Sequence, residues 1–256
     1  MSCHGVDEEV MKEVVARVGL LEAIEAEPRT LRELEEVLQM SRSTIHRTTT
    51  SLIERGVLEK RGEAFALSGV GGVVVESIDE LQDTVTGARH LEPFLNTVGL
   101  MDVDVPIHHF RDAAVITPFP HQAHVGVNRI IELIERSDSL SMFSSIISPL
   151  YVNAAHREIL EGMEITVVFD ERTVETIASA HYEKALEAFE TGRFDVYVTG
   201  DVPFELFLFD DRMGMAAHDE NAHAQALVET TSTDAIDWAT ELYERFESKA
   251  VQPDLW

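Results

Sequence analysis

Ser41-Arg42-Ser43-Thr44-Ile45-His46-Arg47 gathers two guanidinium groups, an imidazole and three short hydroxyls into about two turns of chain. That chemistry suits phosphate oxygens and base edges: an arginine fork matches the paired acceptors of guanine or a phosphate, and short polar side chains reach the edges of bases. From Ser41 to Arg61 the sequence carries Arg42, Arg47, Arg55, Lys60 and Arg61 against Glu54 and Glu59, inside a chain of formal net charge -27. Positive charge kept in one place on so acidic a chain is the electrostatic footprint of a polyanion partner.

The elements that would position these groups are written around them. Thr30 reads as an N-cap whose hydroxyl accepts an early backbone N–H, and Glu33 three residues on completes a capping box. Leu31, Leu34, Val37 and Leu38 give the following helix one apolar stripe. It stops at Gln39-Met40, and Ser41 caps a second helix in which Ile45, Leu52 and Ile53 point inward while Arg42, Ser43, Thr44, His46, Arg47 and Thr50 point out. Two short helices joined by about three residues form a helix-turn-helix. Gly56 ends the second, and Val57 to Leu67 reads as two strands turning at Gly62, with Lys60 and Arg61 at the tip of this wing, placed for backbone phosphate. The expected partner is double-stranded DNA, met by Ser41, Arg42, Ser43, Thr44, His46, Arg47, Thr50, Lys60 and Arg61.

A helix over Asp7 to Ala26, with Val10, Val14, Val18, Leu21 and Ile24 at helical spacing, should pack beneath this unit and end at Pro28. After the wing, Gly69, Gly71 and Gly72 loosen the chain before a second long helix from Val73 to about Val98. Its face of Ile78, Leu81, Val85, Leu91 and Leu95 either packs on its own domain or pairs with a second copy; two-fold helix-turn-helix proteins on palindromic sites favour a homodimer.

From about Asp102 the pattern alternates strands and helices. Strands are expected at Ala113–Thr117, Ser141–Ile147, Glu164–Phe169, Asp195–Thr199, Glu205–Phe209, Met213–Ala217 and Ala226–Thr231. Helices are expected at Gln122–Glu135, Val152–Glu161, Glu171–Thr191 and Asp234–Lys249. The fold class is α+β with an α/β second part. In an open α/β sheet the crevice at the carboxyl ends of the strands is the usual ligand site. Thr117, Ser148, Asp170, Thr199 and Asp201 stand there, as partners for a small polar effector or as ordinary caps and turns.

At 256 residues, 45% of them apolar, the chain can bury two cores. The reading divides it into a DNA-binding domain (1–70), a linker and dimerisation helix (71–101) and an α/β effector domain (102–256). No run of 18 apolar residues occurs and the first residues lack the form of a signal peptide, so a cytoplasmic, non-membrane protein is expected. Cys3 is the only cysteine, which excludes an intrachain disulfide. Residues 1–69 hold 13 acids against 9 bases, the remainder 34 against 11. Only Lys12, Lys60, Lys184 and Lys249 are lysine. This is the composition of proteins soluble in concentrated salt, and it points to a halophilic cytoplasm. At molar salt the Debye length is about 3 Å, so base-edge contacts must carry much of any specificity.

His108-His109, His121-x-x-His124 and His218-x4-His223 offer six imidazoles for a metal- or redox-responsive sensor, but no HExxH or CxxC accompanies them, and no cofactor is expected. Neither GxSxG nor a phosphate loop occurs. Glu205, Asp210 and Asp211 read as the acidic background of the chain.

Residues 10–69 resemble a winged helix-turn-helix of the archaeal and bacterial regulator type. FRDAAVITPFPHQAH, the Pro149 to Gly162 segment, PFELFLFDDRMGMAAHDE and AIDWATELYERF, together spanning Phe110 to Phe246, resemble the middle and effector domain of archaeal methanogenesis-regulator-type transcription factors. The resemblance implies a two-domain transcriptional regulator. Such domains are likened to the phospholipase D fold, whose phosphodiesterase activity needs His-x-Lys-x4-Asp; His181-Tyr182-Glu183-Lys184 puts lysine one residue too far and lacks the aspartate.

Overall fold

A computed structural model of the chain describes residues 8–99, 103–122 and 124–253; Cys3 lies outside them. The chain forms two compact units that meet in sequence between Val85 and Thr86.

The first unit begins with α1 (Glu8–Ala16) and α2 (Val18–Ala26) where one helix was expected. The break is at Arg17, which leaves helical geometry at φ -124 and ψ 17. It turns Leu20 into the core beside Leu21 and Ile24, a demand of packing that apolar spacing alone does not reveal. Glu27 is extended ahead of Pro28, as a residue before proline must be. Then come β1 (Arg29–Thr30), α3 (Leu31–Leu38), α4 (Arg42–Glu54), β2 (Leu58–Arg61), β3 (Ala64–Leu67) and α5 (Gly69–His90). The strands form one antiparallel sheet in the order β1-β3-β2.

Local chemistry fixes the turn between α3 and α4. Thr30 accepts the Glu33 amide and Glu33 accepts the Thr30 amide at 2.7 Å, closing the capping box. Gln39 ends α3 in the left-handed region at φ 52, and Ser41 opens α4 by accepting the Thr44 amide. Gly62, at φ 66, takes the first place of the two-residue hairpin turn, where a side chain would be strained.

The glycines after the hairpin do not loosen the chain as expected. They open α5, where Ser68 accepts the Gly71 amide at 2.9 Å and a Cβ on Gly71 would lie 2.0 Å from the Val57 carbonyl oxygen. Glycine here permits contact of the helix with the base of the hairpin.

Arg55, counted in sequence with the basic cluster, is committed elsewhere: its Nε donates to Glu13 Oε2 at 2.7 Å, and Ser51 Oγ donates to the same oxygen at 2.8 Å. This pair ties α1 to the end of α4. Both charged side chains are about three-quarters buried, so Glu13→Ala is expected to cost about 1 kcal/mol in denaturant unfolding, after discounting for solvent. An unchanged midpoint would remove the structural role given to this pair.

The expected helix from Val73 to Val98 is also two. α6 (Glu92–Val98) follows a break at Leu91, because Pro93 has no N–H and its ring would meet the carbonyl of Arg89 in a continuous helix. The apolar face read along it divides accordingly: Ile78 is in the first unit's core, Leu91 and Leu95 in the second's. Leu81 and Val85 are half exposed.

The second unit adds a 3-10 turn (Ile107–Phe110), β4 (Ala114–Ile116), α7 (Val125–Ile134), β5 (Ser139–Ser144), α8 (Pro149–Glu161), β6 (Glu164–Asp170), α9 (Glu171–Ala180), α10 (Tyr182–Glu190), β7 (Phe194–Thr199), β8 (Glu205–Phe209), β9 (Met213–His218), β10 (Ala224–Thr230) and α11 (Thr233–Glu247). The sheet has seven strands in the order β4-β10-β9-β8-β5-β6-β7. β5, β6 and β7 are parallel and the remaining neighbours antiparallel. Strand period sorts the core: on β8, Phe207 and Phe209 face the layer of α7 to α10, while Leu206 and Leu208 face that of α6 and α11. The helix expected over Glu171–Thr191 breaks at His181, φ -132, so that α10 packs on α8 as well as α9. The overall class is α+β. Among the described residues no helix is long and apolar enough to cross a membrane.

Glu229, on β10, is buried and held by both Arg129, through Nε and Nη2 at 2.7 Å each, and Arg212 Nη1 at 2.8 Å. The Arg129 bonds hold its carboxyl below the usual range. Because the folded-state value is depressed, the stabilisation is present above the unfolded value and lost as pH falls through the folded one. Each arginine side chain is a quarter exposed, so Glu229→Ala is expected to cost about 2 kcal/mol by denaturant titration at pH 7, less than a fully buried pair. A cost near zero would mean that the arginines re-pair with solvent.

Candidate functional site

α4 has two opposed faces. Ile45, Thr48, Thr49 and Leu52, at i, i+3, i+4 and i+7, are buried. Ser43, His46, Arg47 and Thr50, at the same spacing, are exposed. Thr48 and Thr49 were not recognised in sequence as core residues because threonine reads as polar. Thr49 is tolerated inside because its hydroxyl donates to the Ile45 carbonyl at 3.0 Å.

The sequence-selected residues differ in what they have left to offer. Arg42 and Arg47 are exposed and, among the described residues, ion-paired to nothing. Ser43 and His46 are exposed beside them. Ser41 is occupied as the cap, and half-buried Thr44 shares a 2.8 Å hydroxyl contact with it. Thr50 is exposed, but its hydroxyl donates to the His46 carbonyl at 2.8 Å. On the hairpin, Lys60 lies 6.0 Å from the centre of the Phe65 ring and Arg61 pairs with Glu59 at 2.8 Å; both remain exposed. The unengaged groups are therefore Arg42, His46 and Arg47 on the first two turns of α4, at the end where the helix dipole is positive, with exposed Ser43 sharing a 3.1 Å hydroxyl contact with Ser41.

In the second unit the residues selected for a ligand do not all meet. Asp170 and Thr199 are register partners at the carboxyl ends of β6 and β7. Asp170 caps α9 by accepting the Thr173 amide at 2.8 Å, and Ser148 caps α8. Asp201 is exposed beyond β7. Thr117 follows β4, at the other edge of the sheet, four strands from β5.

The group that sequence reasoning set aside is Glu205. It is 1% exposed at the start of β8, with Oε1 accepting from Ser144 Oγ at 2.7 Å. Oε2 has no hydrogen-bond donor among the described residues, though His218 Nε2 stands 3.3 Å away. Burial pushes the Glu205 carboxyl up to about 7 against the Ser144 bond, and burial lowers His218. In a chain with 47 acids nothing in the sequence distinguishes this one except its place in the run Glu205–Phe209, a strand buried throughout.

Pro203-Phe204-Glu205 followed by Asp210 has the spacing of His-x-Lys-x4-Asp, with proline and glutamate where the imidazole and ammonium would stand. Asp210 is turned to structure: it accepts the amides of Asp138 and Ser139 at 2.7 and 2.9 Å and the Ser139 hydroxyl at 2.6 Å. Nor do the histidines gather. His108 and His109 stack edge to face, His223 faces Asp219, and among the described residues no group of three or more ligating side chains could hold a metal ion.

A family model described as the methanogenesis regulatory protein FilR1, middle domain, matches residues 121–249. A second, described as the HVO_A0261 N-terminal domain, matches residues 6–90. No curated protein matches the chain. Of the solved structures, TrmBL2, described as an archaeal chromatin protein with a novel mode of DNA binding, is 13% identical over 94% of each chain, at a TM-score of 0.46. NucT from Helicobacter pylori is 13% identical over 56% of this chain and 99% of its own, at 0.44. The phospholipase D family member Nuc from Salmonella typhimurium is 14% identical over 56% and 99%, at 0.45.

Proposed function

We propose, from the premise that the chain belongs to the family of the methanogenesis regulatory protein FilR1 middle domain, that it is a sequence-specific, DNA-binding transcriptional regulator whose α/β unit responds to a small ligand. The observation that carries this reading is the division of α4 into a core face and an open face of Arg42, Ser43, His46 and Arg47. α4 enters the major groove by its N-terminal turns, and the β2–β3 hairpin, as the wing, brings Lys60 and Arg61 to phosphate. The protein acts in a salt-rich archaeal cytoplasm, where its acidic body keeps it soluble and the basic face alone approaches DNA.

It works as a homodimer. Val70, Val73, Leu81 and Val85 fall along one side of α5 and are each 51–64% exposed, an apolar stripe that pairing with a second copy would cover. The unit is a sensor and not a phosphodiesterase, in keeping with the proline and glutamate at positions 203 and 205.

Mapping the chromosomal DNA bound by the protein in cells tests the assignment. Recovery of discrete sites sharing a two-fold sequence motif is expected. Uniform recovery across the chromosome, or none, would exclude a sequence-specific regulator.

A further inference from the structure

Between the sheet face of β5, β6 and β7 and the helices α8, α9 and α10 lies a cavity of about 710 Å³, counting its open mouth. Its walls are apolar: Met142, Ile165, Val167 and Phe169 from the strands, Ile159 and Ile177 from the helices. The space exists because the facing positions of α8 and α10 carry alanine, at Ala155, Ala185 and Ala188, where larger aliphatic residues would fill a closely packed layer.

A few polar residues join this lining. They are Lys184, His181, His156 and Ser148, in a part of the chain where acids outnumber bases 34 to 11 and lysine occurs only at positions 184 and 249. Lys184 Nζ donates to the amide oxygen of Asn153, and among the described residues no carboxylate pairs with it or with His181. His156 Nε2 is 2.8 Å from Glu187 Oε2. Three of the unit's arginines, Arg129, Arg157 and Arg212, are by contrast spent on carboxylates. A lysine left to a neutral partner in the lining of an apolar cavity is a seat for an anion whose body goes inside.

We infer that this cavity binds a small amphipathic carboxylate, an aromatic or short-chain aliphatic acid, with its carboxylate on Lys184 and His181 and its apolar part against Met142, Val167 and Ala188. A cavity of this volume, part of it open to solvent, has room for one ring or a short acyl chain. The inference gives the ligand-responsive half of the proposed function a ligand class and rests on that reading for its regulatory meaning only.

Calorimetric titration of the full chain without DNA, at one fixed salt concentration, tests the site by itself. The probes are phenylacetate and hexanoate, with hexanol as the neutral counterpart and succinate as the acid lacking an apolar body. Saturable one-to-one binding of the two apolar acids is expected, at least tenfold tighter than hexanol or succinate. Lys184→Gln should weaken the acids at least fivefold and leave hexanol unchanged. Ala188→Leu, which fills the cavity and keeps the core apolar, should abolish binding of both acids. No binding of either acid at millimolar concentration, or acids bound as tightly by Ala188→Leu, overturns the site. Acids that bind as described but leave affinity for the mapped DNA sites unchanged overturn the regulatory meaning and leave the site standing; loss of DNA recognition altogether would instead count against the proposed function.

Discussion

The double variant Arg42→Ala/Arg47→Ala is expected to lose about 2–6 kcal/mol of affinity for a mapped DNA site, the sum of about 1–3 kcal/mol for each arginine that contacts a base. Both side chains are exposed and ion-paired to nothing among the described residues, so their removal breaks no internal bond. The folded protein should unfold at the same denaturant concentration as the parent, which separates recognition from stability. Screening decides how the loss is divided: at molar salt the counterion contribution of a phosphate contact is nearly gone, so a loss that persists there belongs to base contacts. Lys60→Ala, at the hairpin, should weaken all sequences alike and matter less as salt rises. Gel-shift titrations at matched salt read both effects, and equal affinity of the double variant and its parent would leave the open face of α4 without a role.

The second large effect concerns pH. Glu205 is fully buried and its carboxyl is raised by burial from 4.5 to about 7, so the folded state holds the proton more tightly than the unfolded state. Its contribution is therefore whole below 4.5 and lost as pH rises through about 7. At about 1.4 kcal/mol per pH unit the loss totals about 3 kcal/mol, of which about 2 falls between pH 5.5 and 8.5. His218, lowered by burial, has the reverse sign: its contribution is present above its unfolded value and lost as pH falls. Glu205→Gln is expected to flatten the decline of stability in denaturant titrations as pH rises from 4.5 to about 7. A decline of the same steepness in Glu205→Gln would assign it to another group.

What was legible in the sequence was what neighbouring residues decide among themselves. Thr30 with Glu33, and Ser41 with Thr44, cap their helices within four residues, so the helix-turn-helix can be read from order alone. The short apolar and aromatic run did the same for β8, where Glu205–Phe209 has the expected bounds. The breaks at Arg17 and His181 were not legible, since each is made by packing against elements distant in sequence and neither residue is a helix breaker. The break at Leu91 was, in principle, because Pro93 announces it. At the site, composition hid what burial shows. Arg55 counted as a basic group until Glu13, 42 residues away, claimed it, and Glu205 was lost among the other acids until the fold enclosed it. The alanines that open the cavity under α8 and α10 carry no signal without knowing what they face.

The central claim is that the first turns of α4 lie against the edges of bases in a duplex. It is tested most directly by placing a photo-crosslinking side chain at Ser43, which is exposed and outside the core, and irradiating the protein on a mapped DNA site. Crosslinks to bases within each half-site, lost when unlabelled specific DNA competes, are the expected result. Crosslinks to a second copy of the protein, or none to DNA under conditions where the complex is intact, would contradict it.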